Sequence, residues 1–505
     1  MKRFLRISFI VIITIFVLGF ILIKYQTRDR HPGYQIDQTI NTQTEKQIST
    51  GFAAVSITPE ITDTWNDADG NARYQPEKGD TFNDLNNNGK FDATWIAGFH
   101  NRRPANGIHD SLWARTVVFD DGTSRIALVS LDAIGFFHDQ VIEVRNKIPE
   151  NLGIDYCMIA ATHVHEAPDL MGIWGESPLK NGVNEKYLEM VINQTVKSVE
   201  KAVSKLEPVT LHFSKNDSDA LHLVTDTRKP VVHDPGMYII EAKNLAGNTM
   251  GVLVSWANHP ETLWSQNLFI TSDFPHYFRK EIEKQTGGTC VYFNGAIGGL
   301  ITTHPNLPVE HPATGKSIKE ASFEKAEAQG LQLATIAVKS MNNSEINISS
   351  GKIQLSAKTF TVPFKKTLFR LGAVAGVLDR GMTGWWKVRT EMAAFSIGPA
   401  SFLTVPGEIY PEIVNGGIES PAGQDFNTDA IEVPPLRSEM PGKFKFVIGM
   451  ANDELGYIIP KSEWDDNEPW LYNSEKELYG EENSLGPETA PIIHAKALEL
   501  LKNIR

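Results

Sequence analysis

The chain of 505 residues is long enough for one large domain or for two to three ordinary ones. Its 41% hydrophobic and 22% charged residues are ordinary globular values and allow a sizeable core. The net charge of −13 argues against a nucleic-acid partner, because phosphate contacts need a basic surface.

At the N-terminus Lys2, Arg3 and Arg6 precede an apolar run over 7–23, and Lys24, Arg28 and Arg30 come after it. Residues 1–30 therefore read as a signal peptide or an uncleaved signal anchor. Phe20, Ile21, Leu22 and Ile23 stand where a cleavage site needs small residues, which favours an anchor that holds the protein to a membrane. Either reading puts the body outside the cytoplasm, periplasmic, at the cell surface or secreted. Residues 31–50 are expected to form a polar tether, and 51–505 the folded domain. Within that domain "DLNNNGKFD" sets Asp84, Asn86, Asn88 and Asp92 at positions 1, 3, 5 and 9 of an EF-hand-like loop, with Gly89 at the turn. Trp95 replaces the usual bidentate glutamate, so the match is partial. A structural calcium site is expected there, with a polar turn as the plain alternative.

Short apolar runs bounded by turn residues predict buried strands over 126–131, 158–161, 252–256, 290–293, 402–405 and 444–448. Cys157 and Cys290 sit inside or beside such runs and read as buried free thiols. Between the strands, Leu188, Val191, Ile192, Thr195, Val199, Ala202, Val203 and Leu206 share one helical face, ended by Pro208. Further helices are predicted over 274–285, 318–341 and 491–503. This alternation indicates an α/β protein with mixed sheets and flanking helices.

Each of these strands runs into a polar segment. Asp132 ends the first, Thr162-His163-Val164-His165 the second, Asn258-His259-Pro260-Glu261 the third and Asn294-Gly295 the fourth. Gly407-Glu408 and Asn452-Asp453-Glu454 with Tyr457 lie just beyond the last two. Ligands of α/β sheets bind beyond the carboxyl ends of strands. His163 and His259 are candidate metal ligands, since catalytic zinc takes imidazoles and a carboxylate and keeps one position open. Glu408 can supply the carboxylate, and Tyr457 is a less usual oxygen ligand or oxyanion donor. No HExxH helix sharpens this pattern, and a lone histidine is more often a core side chain.

Several segments resemble the neutral/alkaline (non-lysosomal) ceramidases. "MIAATHVHEAPD" is similar to their "AATHTHSGPG", "GIHDSLWARTVVFDD" to "GIHxRLxARAFV", and "VPGEIYPEI" to "APAEFTV". "VSWANHPETLWSQNLFITSDFPHYFRKEIEKQTGG" resembles the stretch in which a histidine precedes "SxDFxGY", and "GMANDELGYIIPKSEW" resembles "GYANxxxxYVTTxEEY". The segments keep one order over most of 51–505. The resemblance implies a neutral-ceramidase-like catalytic domain there, with His163, His259, Glu408 and Tyr457 as zinc ligands. It implies His165 as the second active-site histidine and Arg228, in "TDTRKP", as the arginine facing substrate. The implied activity is a zinc-dependent amidohydrolase that cleaves the N-acyl amide of a ceramide-type lipid with metal-activated water. Zn2+ is the implied cofactor, with Ca2+ structural.

Two departures qualify this. "NGAIGGLITTHP" puts Ile301 where the family has an active-site serine, so a step relying on that hydroxyl is lost. The chain also reads as lacking the family's C-terminal β domain. Alternatives are therefore a zinc hydrolase of another amide or ester, or a non-catalytic surface binding protein on the same scaffold.

Overall fold

The structure, a computed structural model, describes residues 2–504; Met1 and Arg505, the outer ends of the expected N-terminal segment and catalytic domain, lie outside it. Helix α1 (Lys2–Gln26) contains the 21-residue stretch Arg6–Gln26, with mean hydropathy 2.8 and no buried residue. At 1.5 Å per residue such a helix reaches about 32 Å, roughly the hydrocarbon thickness of a bilayer.

Residues 31–50, expected as a tether, are instead built into the body. Strand β1 (Asp37–Asn41) pairs antiparallel with residues 354–358, and β2 (Ser49–Ser56) begins inside the stretch. Polar composition did not preclude this, because β1 is an edge strand with one half-buried face.

The chain continues through β3 (Trp113–Asp120), β4 (Arg125–Leu131), α2 (His138–Lys147), β5 (Tyr156–Ala161) and α3 (Glu185–Val203). Next come strands β6 (Glu207–Asn216), β7 (Met237–Asn244) and β8 (Thr249–Trp256), then α4 (Phe274–Thr286) and β9 (Thr289–Asn294). These strands form a nine-stranded sheet in the order β9-β8-β7-β6-β2-β3-β4-β5, with the short strand Ile346–Ile348 beside β6. After α5 (Phe323–Met341) come β10 (Ile353–Pro363), α6 (Thr367–Ala375), β11 (Lys387–Ile397), β12 (Ala400–Thr404), β13 (Phe444–Ile448) and α7 (Thr489–Lys502). The second sheet has five strands, β1-β10-β11-β12-β13.

The sheets pack face to face through a core that joins Phe119, Met158 and Phe213 of the first to Phe395, Phe402 and Phe446 of the second. Helices α3, α4 and α5 cover the outer face of the large sheet, and α7 covers that of the small one. The fold is thus the expected mixed α/β arrangement, with both cysteines free and buried. Two predicted helix ends shift. α5 starts at Phe323 because Ile318 pairs with Val309 in a short ladder and Ser322 caps the helix by accepting from the Lys325 amide at 3.2 Å. α3 ends at Val203, three residues before Leu206.

Three parallel pairs position the site: β4 with β5, β8 with β9, and β12 with β13. Parallel neighbours end at the same edge, so the segments after β5, β8, β12 and β13 converge.

Candidate active site

His163 leaves β5 in a left-handed conformation, φ 66°. Its Nδ1 lies 2.6 Å from the Ile134 carbonyl, and Nδ1 of His259, beyond β8, lies 2.8 Å from the Ile301 carbonyl. A carbonyl only accepts, so each Nδ1 carries a proton, and in the neutral ring each Nε2 holds the lone pair a metal would take. Both Nε2 atoms face Glu408, whose Oε2 is 3.5 Å from His163 and 2.9 Å from His259. Glu408 in turn pairs in parallel register with Tyr457, and both line the same cavity. The third imidazole is His165: ligand atoms of His163, His165 and His259 all lie within 4.8 Å of one another. This buried triad can hold a metal ion.

The electrostatics fit a cation. Burial opposes charge on His163, but Glu408 beside it pushes its pKa up to about 9. Burial likewise opposes ionisation of Glu408, yet the imidazoles of His163 and His259 hold it well below the usual carboxylate range. Proton and metal compete for this place, since ligation needs neutral histidine. His165 is pushed well below the ordinary range by burial and then by its two neighbouring histidines. Neither of its ring nitrogens has a hydrogen-bond partner, although Nδ1 comes within 3.4 Å of Glu261 Oε2. Glu454 is raised well above its usual value by burial and then by Glu408, and burial raises Glu261. Oε1 of Glu261 and Oε2 of Glu454 are also unpartnered. Orphaned buried imidazole and carboxyl atoms around ionised Glu408 are donors that suit a metal cation.

These groups lie at the polar side of a cavity of about 510 Å³. Phe99, Phe137, Trp174, Phe364, Leu378 and Leu485 give it apolar walls. Gly98 has φ 86°, and a Cβ there would stand 2.7 Å from His165 Nδ1, so the loop admits no larger residue. Phe99 sets its ring edge-on to His165 with centroids 5.2 Å apart. The buried Arg103 guanidinium ties the loop down by donating to the carbonyls of Ala97 and His165.

Two expectations need correction. Arg228 does not line the cavity. Its guanidinium is held by Glu481 through contacts of 2.6 and 2.7 Å and by the carbonyls of Tyr479 and Glu463. It braces the wall that carries Tyr479. Ile301 does not point into the cavity either. Pairing of Asp226 with Ile301 turns that side chain into the core, where it is 1% exposed, while its carbonyl orients His259. The cavity-lining side chain of this segment is Leu300.

Sequence reasoning gave no role to Glu261, Glu454, Leu300 or Phe99. Glu261 and Glu454 were visible as strand-end polar residues; Leu300 and Phe99 carry no polar signal. Other strand-end groups bind the frame together: Asp132 takes a bidentate contact from Arg279 at 2.8 Å, and Asn294 Nδ2 donates to the carbonyls of Thr162 and Asn258.

In the 84–92 loop, Asp84 accepts from the amides of Asn88 and Gly89, and Asp92 accepts from the Asn86 and Asn88 side chains at 2.7 and 2.6 Å. The four residues do come together, with their oxygens and amides bonded to one another. A neighbouring trio, Asp67, Asp69 and Asp80, also brings its carboxylates within 4.8 Å, with Asp67 and Asp80 accepting from backbone amides.

No family model matches the chain. In sequence it is 24% identical over 247 residues to the neutral ceramidase of Pseudomonas aeruginosa, a match covering 45% of this chain and 36% of that protein. The fold matches the crystal structure of neutral ceramidase from Pseudomonas aeruginosa with a TM-score of 0.64 at 16% identity, over 91% of this chain and 75% of that one. A structure described as ceramidase complexed with C2 matches with a TM-score of 0.65 at 16% identity, over 90% and 75%. The chain therefore resembles neutral ceramidase in sequence and shares its fold, and the sequence match spans about a third of that relative's length.

Proposed function

We propose that the protein is a zinc-dependent hydrolase that cleaves the N-acyl amide of a ceramide-type lipid, releasing a fatty acid and a sphingoid base. The observation that carries this reading is the convergence of His163, His259 and Glu408 at one side of a largely apolar cavity of about 510 Å³. The likeness to neutral ceramidase in sequence and fold supports it. His163, His259, Glu408 and Tyr457 would hold the ion, which when bound supplies a Lewis acid for a carbonyl and acidifies water. The apolar walls bind the acyl chain and exclude bulk water from the amide. His165, the third imidazole of the trio, is read as a base rather than a ligand: neutral, it takes the proton that water loses and returns it to the departing nitrogen. Glu261, 3.4 Å from its Nδ1, orients the ring. Arg228 supports the wall through Glu481 and Tyr479.

A second reading, a zinc hydrolase of a different N-acyl amide or an ester, is favoured by Leu300, which offers the cavity no hydroxyl. α1 is read as the element that keeps the body at an extracytoplasmic membrane face. Product analysis of the zinc-loaded protein on ceramides and simpler N-acyl amides tests both readings. Fatty acid and sphingoid base from ceramide, lost with chelator and restored by zinc, are expected. Cleavage of other acyl substrates alone would select the second reading. Inertness on all of them with zinc bound would leave a surface binding protein.

A further inference from the structure

We propose that α6 and the Trp385 loop form a membrane-seated rim, through which the apolar cavity opens to the bilayer rather than to water. Leu368 and Leu371, three residues apart on α6, are 66% and 61% exposed, and Trp385 is 68% exposed. Soluble surfaces seldom group large apolar side chains in this way. The same segment forms the cavity wall: Phe364 and Phe369 stack with centroids 6.2 Å apart and both line the cavity, as does Leu378. One short helix thus turns Phe369 inward and two leucines outward.

The occupant of this face is fixed by its neighbours. α1, long enough to cross a bilayer, ends against it: a Cβ on Gly376 would lie 2.7 Å from the Gln26 side chain, and one on Gly381 2.8 Å from the Arg28 carbonyl. Lys24 stands 5.8 Å from the Trp385 ring. Arg30 pairs with Asp379 at 2.7 Å and Asp29 with Arg389 at 2.6 Å, so the exit of α1 is fastened to the segment after α6. A membrane crossed by α1 therefore meets α6 directly. Charge agrees. Residues 365–387 carry four basic side chains outside the core, Lys365, Lys366, Arg370 and Lys387, against one acidic, Asp379, in a protein of net charge −13; Arg380 is buried against Asp453. Basic groups flanking apolar ones suit a bilayer interface that contains anionic lipid.

The seat rests on the exposed side chains and α1, and its role in delivery rests on the reading of the cavity as a lipid site. The full chain is reconstituted in phosphatidylcholine–phosphatidylglycerol vesicles with a nitrobenzoxadiazole label on Leu371→Cys; both native thiols are buried, so the label goes to the new one. Brominated phosphatidylcholine is expected to quench this label but not one on Leu245→Cys, an exposed residue of the β7–β8 turn. Equal, water-like emission at both sites would overturn the seat. For delivery, Leu368→Ser with Leu371→Ser is expected to slow hydrolysis of vesicle-embedded ceramide about ten-fold, with ceramide in detergent micelles unaffected. An equal loss in both presentations would overturn delivery. A wild type inert on both would reject the ceramide reading, while the quenching still decides the seat.

Discussion

His163 meets two constraints at once: φ 66° for a non-glycine residue, and an Nδ1 contact of 2.6 Å to the Ile134 carbonyl. Strain of that kind costs on the order of 1–3 kcal/mol and persists where the surroundings over-determine it. Here it aims Nε2 at Glu408. His163→Ala is therefore expected to lose tightly bound zinc, as measured by metal content after dialysis; unchanged stoichiometry would exclude it as a ligand. His165→Ala should keep the metal and slow turnover by about a hundred- to ten-thousand-fold, the usual worth of acid–base assistance. The serine substitution that tests the missing hydroxyl belongs at Leu300. Ile301→Ser would bury a hydroxyl and open a cavity in the core, at a cost of about 2–5 kcal/mol read by denaturant unfolding. Leu300→Ser places the hydroxyl in the cavity and should raise activity on ceramide relative to simpler amides. One register step separates these outcomes, and only the pairing of Asp226 with Ile301 reveals it.

At the level of elements, the six strands legible in the sequence are the members of the three long parallel pairs. Covered on both faces, they read as unbroken apolar runs. The antiparallel strands β6, β10 and β11 mix Lys, Thr, Ser and Arg with apolar residues, because part of each faces solvent, and they carry no such unbroken run. α2 and α6 carry no clear helical stripe either, being short, one polar and the other apolar on exposed as well as buried faces. The legible strands deliver His163, His259, Glu408 and Tyr457, so the residues proposed to hold the metal could be read. The place of Arg228 off the cavity is not legible in the sequence, because its partner Glu481 is 253 residues away. Breaking this buried pair by Arg228→Met should leave Glu481 uncompensated and destabilise the protein by about 3–5 kcal/mol, read as a lowered melting temperature. The same shift from a residue that touches substrate would not be expected. The 84–92 loop is expected to bind calcium: added Ca2+ should raise the melting temperature by linkage, and Asp84→Ala should abolish the rise. No response of the wild type to calcium would make it a polar turn.

Across the whole molecule, two packed sheets hold strand ends from distant parts of the chain at one edge, with an apolar cavity beside them and a bilayer-length helix fastened nearby. The large shared core between the sheets ties the segments that would hold the ion to one frame, so zinc is expected to add stability through linkage rather than to be required for folding. The most direct test is mass-spectrometric analysis of the products formed by the zinc-loaded full chain from ceramide. Equimolar fatty acid and sphingoid base, absent with chelator and with His163→Ala, is the predicted result. Ceramide recovered intact, with zinc bound and the fold in place, would contradict it.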